Sequence, residues 1–358
     1  MAVFYILLLV PIIIQHSRVK GMRMSYEKKN TVALTFFFLF LTILIMFRHE
    51  CVGNDTRNYI QIFKQYSRTD WNELCRDDRE YGFVYITKLI SVFSQDPRVY
   101  LAVIALLIST MIYPTYKRLC VDPSLTIIIF CTLSTFVMMF SGIRQMIAIG
   151  VGFIAYENTR QKKLLLFILS FLLAMMFHTS AFMLVFMYPL YHVRITKKWL
   201  YAVVPILALC FLFNRQIFGI LANMLHQYTK YDAKITPTGA YTMLILFGMF
   251  VMFSCLIPDE KKLDEEVIGL RNFLLLTFAL QMFAPLHTLA MRMGYYYMIF
   301  IPLLLPKIIE GRSKRWNQVA ILGRHVMVIF FLMYFFYNAS KGGNLNVFPY
   351  YFFWETVR

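Results

Sequence analysis

Thr31-Val32-Ala33-Leu34-Thr35-Phe36-Phe37-Phe38-Leu39-Phe40-Leu41-Thr42-Ile43-Leu44-Ile45-Met46-Phe47 runs without a single charge. As a helix rising about 1.5 Å per residue, this stretch reaches ~26 Å, close to the ~30 Å hydrocarbon core of a bilayer. Such a run predicts a helix that crosses a membrane. Outward from it, similar runs recur at 1–15, 99–113, 124–140, 146–157, 164–177, 181–191, 199–213, 241–257, 272–285, 295–309 and 326–340. The expectation is an all-α, polytopic helical bundle of about twelve transmembrane helices, forming one integral membrane domain over residues 1–358. The stretch Met1–Ile14 lacks a basic leader and a small-residue cleavage site, so it reads as the first span.

Composition agrees. The chain is 59% hydrophobic, 17% aromatic and only 15% charged, with a mean hydropathy of +0.60. A soluble domain is about 45–50% apolar. The formal net charge of +17 does not point to nucleic acid, because there is no soluble domain to carry a binding surface. The basic residues instead gather in short loops, as the positive-inside rule requires. Arg18, Lys20, Arg23, Lys28, Lys29, Lys117, Arg118, Arg160, Lys162, Lys163, Arg194, Lys197, Lys198, Lys261, Lys262, Arg271, Lys307, Arg312, Lys314, Arg315 and Arg324 fall between odd and even spans. That alternation predicts both termini outside and these loops in the cytoplasm.

Two outer loops exceed mere connectors. Residues 48–98 balance basic against acidic side chains and contain a short apolar stretch near 81–94 interrupted by Lys88, which suits an interfacial amphipathic helix. Residues 214–240 form the second loop, with Arg215, His226, Lys230, Asp232 and Lys234. Cys51 and Cys75 share the first loop, which leaves a disulfide open, whereas Cys131, Cys210 and Cys255 sit in apolar runs. The histidines, cysteines and acids do not fall in a metal-ligand spacing, and no cofactor or metal is expected.

The chemistry-bearing groups collect at the outer face. Arg144, within Ser141-Gly142-Ile143-Arg144-Gln145, is a permanent charge at the mouth of a span, and its planar fork matches phosphate oxygens. Gln145 adds a neutral donor beside it. His178, within His178-Thr179-Ser180-Ala181, shares that face and is a candidate general base. Arg292, before Tyr295, Tyr296 and Tyr297, reads as a second phosphate contact with tyrosines that could support a sugar. Asp55 and Glu80, in the first loop, are the best-placed carboxylates for a base or an electrostatic stabiliser. The bland readings are a snorkelling arginine, a capping histidine, an aromatic belt and solvated loop acids.

At these residues the chain resembles the EpsG family of bacterial exopolysaccharide and capsule polymerases, relatives of the Wzy-type O-antigen polymerases. The resemblance rests on Arg48, Val52-Gly53-Asn54-Asp55-Thr56 and Tyr59, then Glu80-Tyr81-Gly82-Phe83, the two phrases at Ser141–Gln145 and His178–Ala181, and Arg292 with Tyr295-Tyr296. It covers roughly residues 30–310. Asn54 departs from the threonine common in the family, and the tail Tyr350-Tyr351-Phe352-Phe353-Trp354 matches nothing. The resemblance implies a GT-C-like glycosyltransferase in the bacterial plasma (inner) membrane, working without a metal. It would join oligosaccharide repeat units carried on undecaprenyl diphosphate, as donor and acceptor, on the outer side of the membrane. Arg144, His178, Asp55 and Glu80 would then be catalytic, and Gln145, Arg292, Tyr295, Tyr296 and Arg48 would bind substrate. Membrane lipid is the remaining partner, and a chain-length regulator is compatible. Two other classes compete. A lipid-linked oligosaccharide flippase calls for cationic groups spread through the spans, whereas here they gather at one face. A membrane O-acyltransferase would take its donor from the cytoplasmic side, opposite His178.

Overall fold

A computed structural model describes residues 2–17, 25–74, 77–195, 197–224, 237–286, 288–342 and 345–357. The described residues are helical, with no strand beyond two isolated bridges, Arg48 with Phe352 and Pro258 with Arg312. The chain divides into two compact units where the sequence suggests one domain. One holds Met1–Leu184 and Arg324–Arg358; the other holds Val185–Gly323.

In the first unit, helix Tyr26–Met46 contains the quoted run and packs against helix Pro97–Leu119. Two threonines in the run make the contact specific. Thr42 Oγ1 donates to Ser109 Oγ at 2.6 Å, and the Thr35 and Tyr113 hydroxyls meet at 2.7 Å. Hydrogen bonds of this kind join helices that gain no hydrophobic drive from lipid. Helix Ile143–Arg160 also packs on Pro97–Leu119, and a Cβ on Gly150 would lie 2.5 Å from the Met111 methyl. Asp-Pro phrases start two helices. Asp96 and Asp122 accept from Arg98 N and Leu125 N, with Pro97 and Pro123 as the first helical residues. Asp122 also pairs with Arg324 at 2.8 Å and accepts from Gln15, tying three helices together at the end read as cytoplasmic.

The second unit is built around helix Glu265–Gln281, buried along most of its length. Asp264 caps it through Val267 N at 2.7 Å. Arg271, counted with the loop cations, is in fact buried, donating to Glu260 at 2.5 Å and to Ile195 O at 2.8 Å. Asn272 Nδ2 donates to Leu190 O and Val193 O. These bonds clasp the helix to the chain entering from Met187–His192.

About twelve spans were expected, and the described residues do not supply twelve helices of crossing length. Tyr26–Met46, Pro97–Leu119 and Lys314–Lys341 are long and apolar enough, and two bent pairs raise the number to five. The difference lies in breaks that hydropathy cannot show. The run 124–140 bends by 66° between Pro123–Thr132 and Ser134–Ser141, because Leu133 is extended. The run 199–213 turns by 78° into helix Asn214–Met224, placing a helix where the second outer loop was expected to begin. The run 181–191 is a 3-10 stretch, Thr179–Phe186, followed by Met187–His192. The run 295–309 breaks before Ile301, with Pro302 in the first turn of the new helix. Helices such as Leu164–Met175, at about 18 Å, are too short to cross alone. The apolar stretch near 81–94 is helix Tyr81–Phe93.

Candidate functional site

The site is assembled in the first unit by three short phrases. The loop after Tyr26–Met46 begins with Arg48, whose Nη1 donates to Ile45 O at 2.7 Å and whose Nε donates to Thr56 Oγ1 at 3.2 Å. Burial pushes the Arg48 guanidinium down to about 10, against the opposing pull of the Tyr350 hydroxyl. Thr56 Oγ1 in turn donates to Val52 O at 2.6 Å, closing the loop on itself. Gly53 has φ +88, and a Cβ there would lie 2.3 Å from Phe140 O. Only glycine serves at this position. The turn delivers Asp55 to the second phrase: Ser141 Oγ donates to Asp55 Oδ2 at 3.2 Å.

Helix Thr56–Arg68 follows, and its far end anchors the next segment. The Tyr66 hydroxyl donates to Asp77 Oδ2 at 2.7 Å, and Arg79 Nη1 contacts both Asp77 oxygens at 3.0 and 2.7 Å. Burial and the Asp77 carboxylate push the Tyr66 phenol up to about 12. Lys88, buried, donates to Tyr66 O at 3.0 Å. This clamp fixes the entry to Glu80. Gly82 N donates to Met176 O at 2.8 Å, and a Cβ on Gly82 would sit 2.8 Å from that same oxygen. The Glu-x-Gly phrase is therefore a close docking of one helix start on another helix end.

Glu80 is the centre of the constellation. Its Oε2 accepts from Arg144 Nη1 at 2.6 Å. Its Oε1 lies 3.0 Å from His178 Nδ1 and accepts from Thr179 N at 3.2 Å and Thr179 Oγ1 at 3.3 Å. Burial alone would raise the carboxyl, but the hydrogen bond from His178 and the Arg144 charge outweigh it and hold Glu80 well below the usual carboxylate range. Glu80 is thus an anion at any working pH, engaged at both oxygens, and a poor proton acceptor. A carboxylate at Nδ1 favours a proton on that nitrogen, so that in the neutral ring Nε2 is the acceptor. The contact has the geometry of a carboxylate–histidine pair.

Arg144 opens helix Ile143–Arg160. Its guanidinium lies 5.7 Å over the Phe83 ring and against the Tyr59 hydroxyl, while its side chain stays 33% exposed. A cation held by a carboxylate, a phenol and a ring face keeps donors open for an incoming anion.

The structure therefore brings Arg144, Glu80 and His178 together, with Asp55 reached through Ser141. Within the first unit, two candidates stand apart from this group. Gln145, one residue along the helix, is buried at 2% and does not share the Arg144 surface. Arg48 is likewise 2% exposed and serves as a loop clasp. Arg292, Tyr295 and Tyr296 belong to the second unit, on helix Thr288–Met298. Arg292 is exposed there, while Tyr295 and Tyr296 are buried rather than spread as an open platform. Cys75, needed for a bridge to Cys51, and the loop residues His226, Lys230, Asp232 and Lys234 lie outside the described residues. Sequence reasoning gave no site role to Ser141 or Thr179, although both stand inside the quoted phrases. It assigned nothing to the C-terminal tail, which lies on the first loop: Gly53 N donates to Asn346 O at 3.1 Å and Asn54 N to Leu345 O at 2.9 Å.

The EpsG family profile matches residues 31–352, nearly the whole chain and including most of that tail. The chain belongs to the EpsG family. With its apolar helices, this makes it a membrane protein of the polysaccharide-polymerase type. No curated protein and no solved structure matches it.

Proposed function

We propose that this member of the EpsG family is a glycosyltransferase that polymerises oligosaccharide repeat units carried on undecaprenyl diphosphate at the outer face of the bacterial plasma membrane. The observation that supports it most is the Arg144–Glu80–His178 constellation, drawn from phrases 64 and 98 residues apart. In the reaction, an acceptor sugar hydroxyl attacks the anomeric carbon of the donor chain. The bond from that carbon to the diphosphate oxygen breaks, and the lipid diphosphate leaves with the electron pair. His178 Nε2 takes the hydroxyl proton, while Glu80 stabilises the imidazolium that forms. Arg144 meets the charge growing on the leaving diphosphate, an interaction strongest in the transition state. Asp55 supplies a second anion beside Ser141, suited to orienting the acceptor.

The test uses purified protein in sealed vesicles whose outer leaflet carries a defined undecaprenyl-diphosphate repeat unit. A ladder of longer saccharides supports polymerisation. Unextended substrate that moves to the inner leaflet would replace this reading by a flippase, and an acylated, unextended sugar would replace it by an acyltransferase.

A further inference from the structure

The C-terminal tail lies against the site loop. Tyr351 O accepts from His49 N at 2.9 Å, and Phe353 N donates to Phe47 O at 2.9 Å. The Tyr350 hydroxyl donates to Leu44 O at 2.8 Å, and its ring packs with Phe4 and Phe140. The decisive contacts are the carbonyls of Leu345 and Asn346, which take the amides of Asn54 and Gly53. Both acceptor carbonyls sit on residues with φ 52, consecutive left-handed positions that L side chains rarely adopt. Such a pair persists only where the surroundings hold it, and it concentrates at functional places.

These bonds matter because of what lies next to them. Gly53 has no side chain of its own to hold it, and its own segment does not supply an acceptor for its amide. Asp55 follows Asn54, and its backbone amide and carboxylate both meet Ser141 Oγ, at 3.3 and 3.2 Å. Ser141 lies three positions before Arg144. The route from tail to site is therefore backbone to backbone, then carboxylate to hydroxyl, within one compact unit.

We infer that the tail is a positioning element of the site: Leu345 and Asn346 hold the Gly53–Asn54 peptide and thereby set the Asp55 carboxylate against Ser141. This rests on Asp55 acting in the proposed polymerisation. A misplacement of that carboxylate on the order of 1 Å would cost about a hundredfold in rate.

The experiment contrasts two substitutions in the full chain. Asn346→Gly keeps the left-handed backbone at no steric cost, while Asn346→Val opposes it. Amide hydrogen exchange at Gly53 and Asn54 reads the geometry without reference to catalysis. Slow exchange in the wild type and in Asn346→Gly, with fast exchange in Asn346→Val, is expected. In the polymerisation assay, Asn346→Val should lower kcat by about tenfold to a hundredfold with KM nearly unchanged. In an Asp55→Asn background the same substitution should change kcat less than about twofold, because coupled positions do not add. Equal exchange in both Asn346 variants would overturn the tail's hold on the loop, whatever the enzyme does. Unequal exchange with additive kcat losses would overturn the route through Asp55. Should Asn346→Val not insert, Tyr350→Phe, which removes only the bond to Leu44 O, is read by the same exchange. Failure of wild-type polymerisation would count against the proposed function and leave the exchange result to judge the tail.

Discussion

At the scale of single residues, one carboxylate organises the site. Glu80 has a folded pKa held below its unfolded value of about 4.3. A depressed carboxyl contributes stability that is fully present above the unfolded pKa and is lost as pH falls through the folded one. Thermal stability of the wild type should therefore fall below about pH 4, and Glu80→Gln should flatten that acid limb. At neutral pH the same substitution leaves Arg144 and His178 without their shared anion and should cost on the order of 1–3 kcal/mol, measured by thermal unfolding in detergent. His178→Ala should lower kcat by roughly 10²–10⁴ with binding of the lipid-linked donor retained. A His178→Ala enzyme with near-normal kcat would move the base elsewhere, with Asp55 the next candidate. The phrases around these residues were legible in the sequence. Their pairing was not, because nothing in Glu80-Tyr81-Gly82-Phe83 states that its carboxylate meets a guanidinium 64 residues on. The sequence offers Glu80 as a base or a stabiliser, and the structure pairs it with Arg144 and His178.

At the scale of elements, glycines mark where helices approach. A Cβ on Gly82 would press on the Met176 backbone carbonyl at 2.8 Å, which no side chain can relieve. Gly82→Ala should therefore shift helix Tyr81–Phe93, separate Glu80 from His178 and cost about 1–3 kcal/mol in stability. A fully active and equally stable Gly82→Ala protein would contradict that docking. Hydropathy located most helices because an apolar run registers by composition. It missed the bend at Leu133 and the break before Ile301, because a kink changes direction without changing polarity. The tail escaped for a related reason. Its contacts with the loop are made largely by backbone carbonyls and amides, which carry no residue-specific signature.

At the scale of the whole molecule, the chain is a membrane protein whose proposed chemistry belongs to one face. Asp78 is exposed beside the Tyr66–Asp77–Arg79 clamp, and Lys162 is exposed at the turn after Ile143–Arg160. In a background with Cys51→Ser and Cys75→Ser, Asp78→Cys should react with a membrane-impermeant thiol reagent added to intact spheroplasts, and Lys162→Cys only after the membrane is opened. The opposite pattern would reverse the orientation drawn from the basic loops.

The central claim joins that face to one guanidinium, and a single comparison tests it. Wild type and Arg144→Lys are incubated in parallel with a defined undecaprenyl-diphosphate repeat unit, at equal amounts of inserted protein, and the saccharide products are resolved by length. Lysine keeps the charge but not the planar fork. The account predicts a ladder from the wild type and, from Arg144→Lys, a loss of product on the order of 10²-fold, the scale of one lost transition-state contact. A full ladder from Arg144→Lys would contradict it and return Arg144 to the role of a membrane-edge anchor.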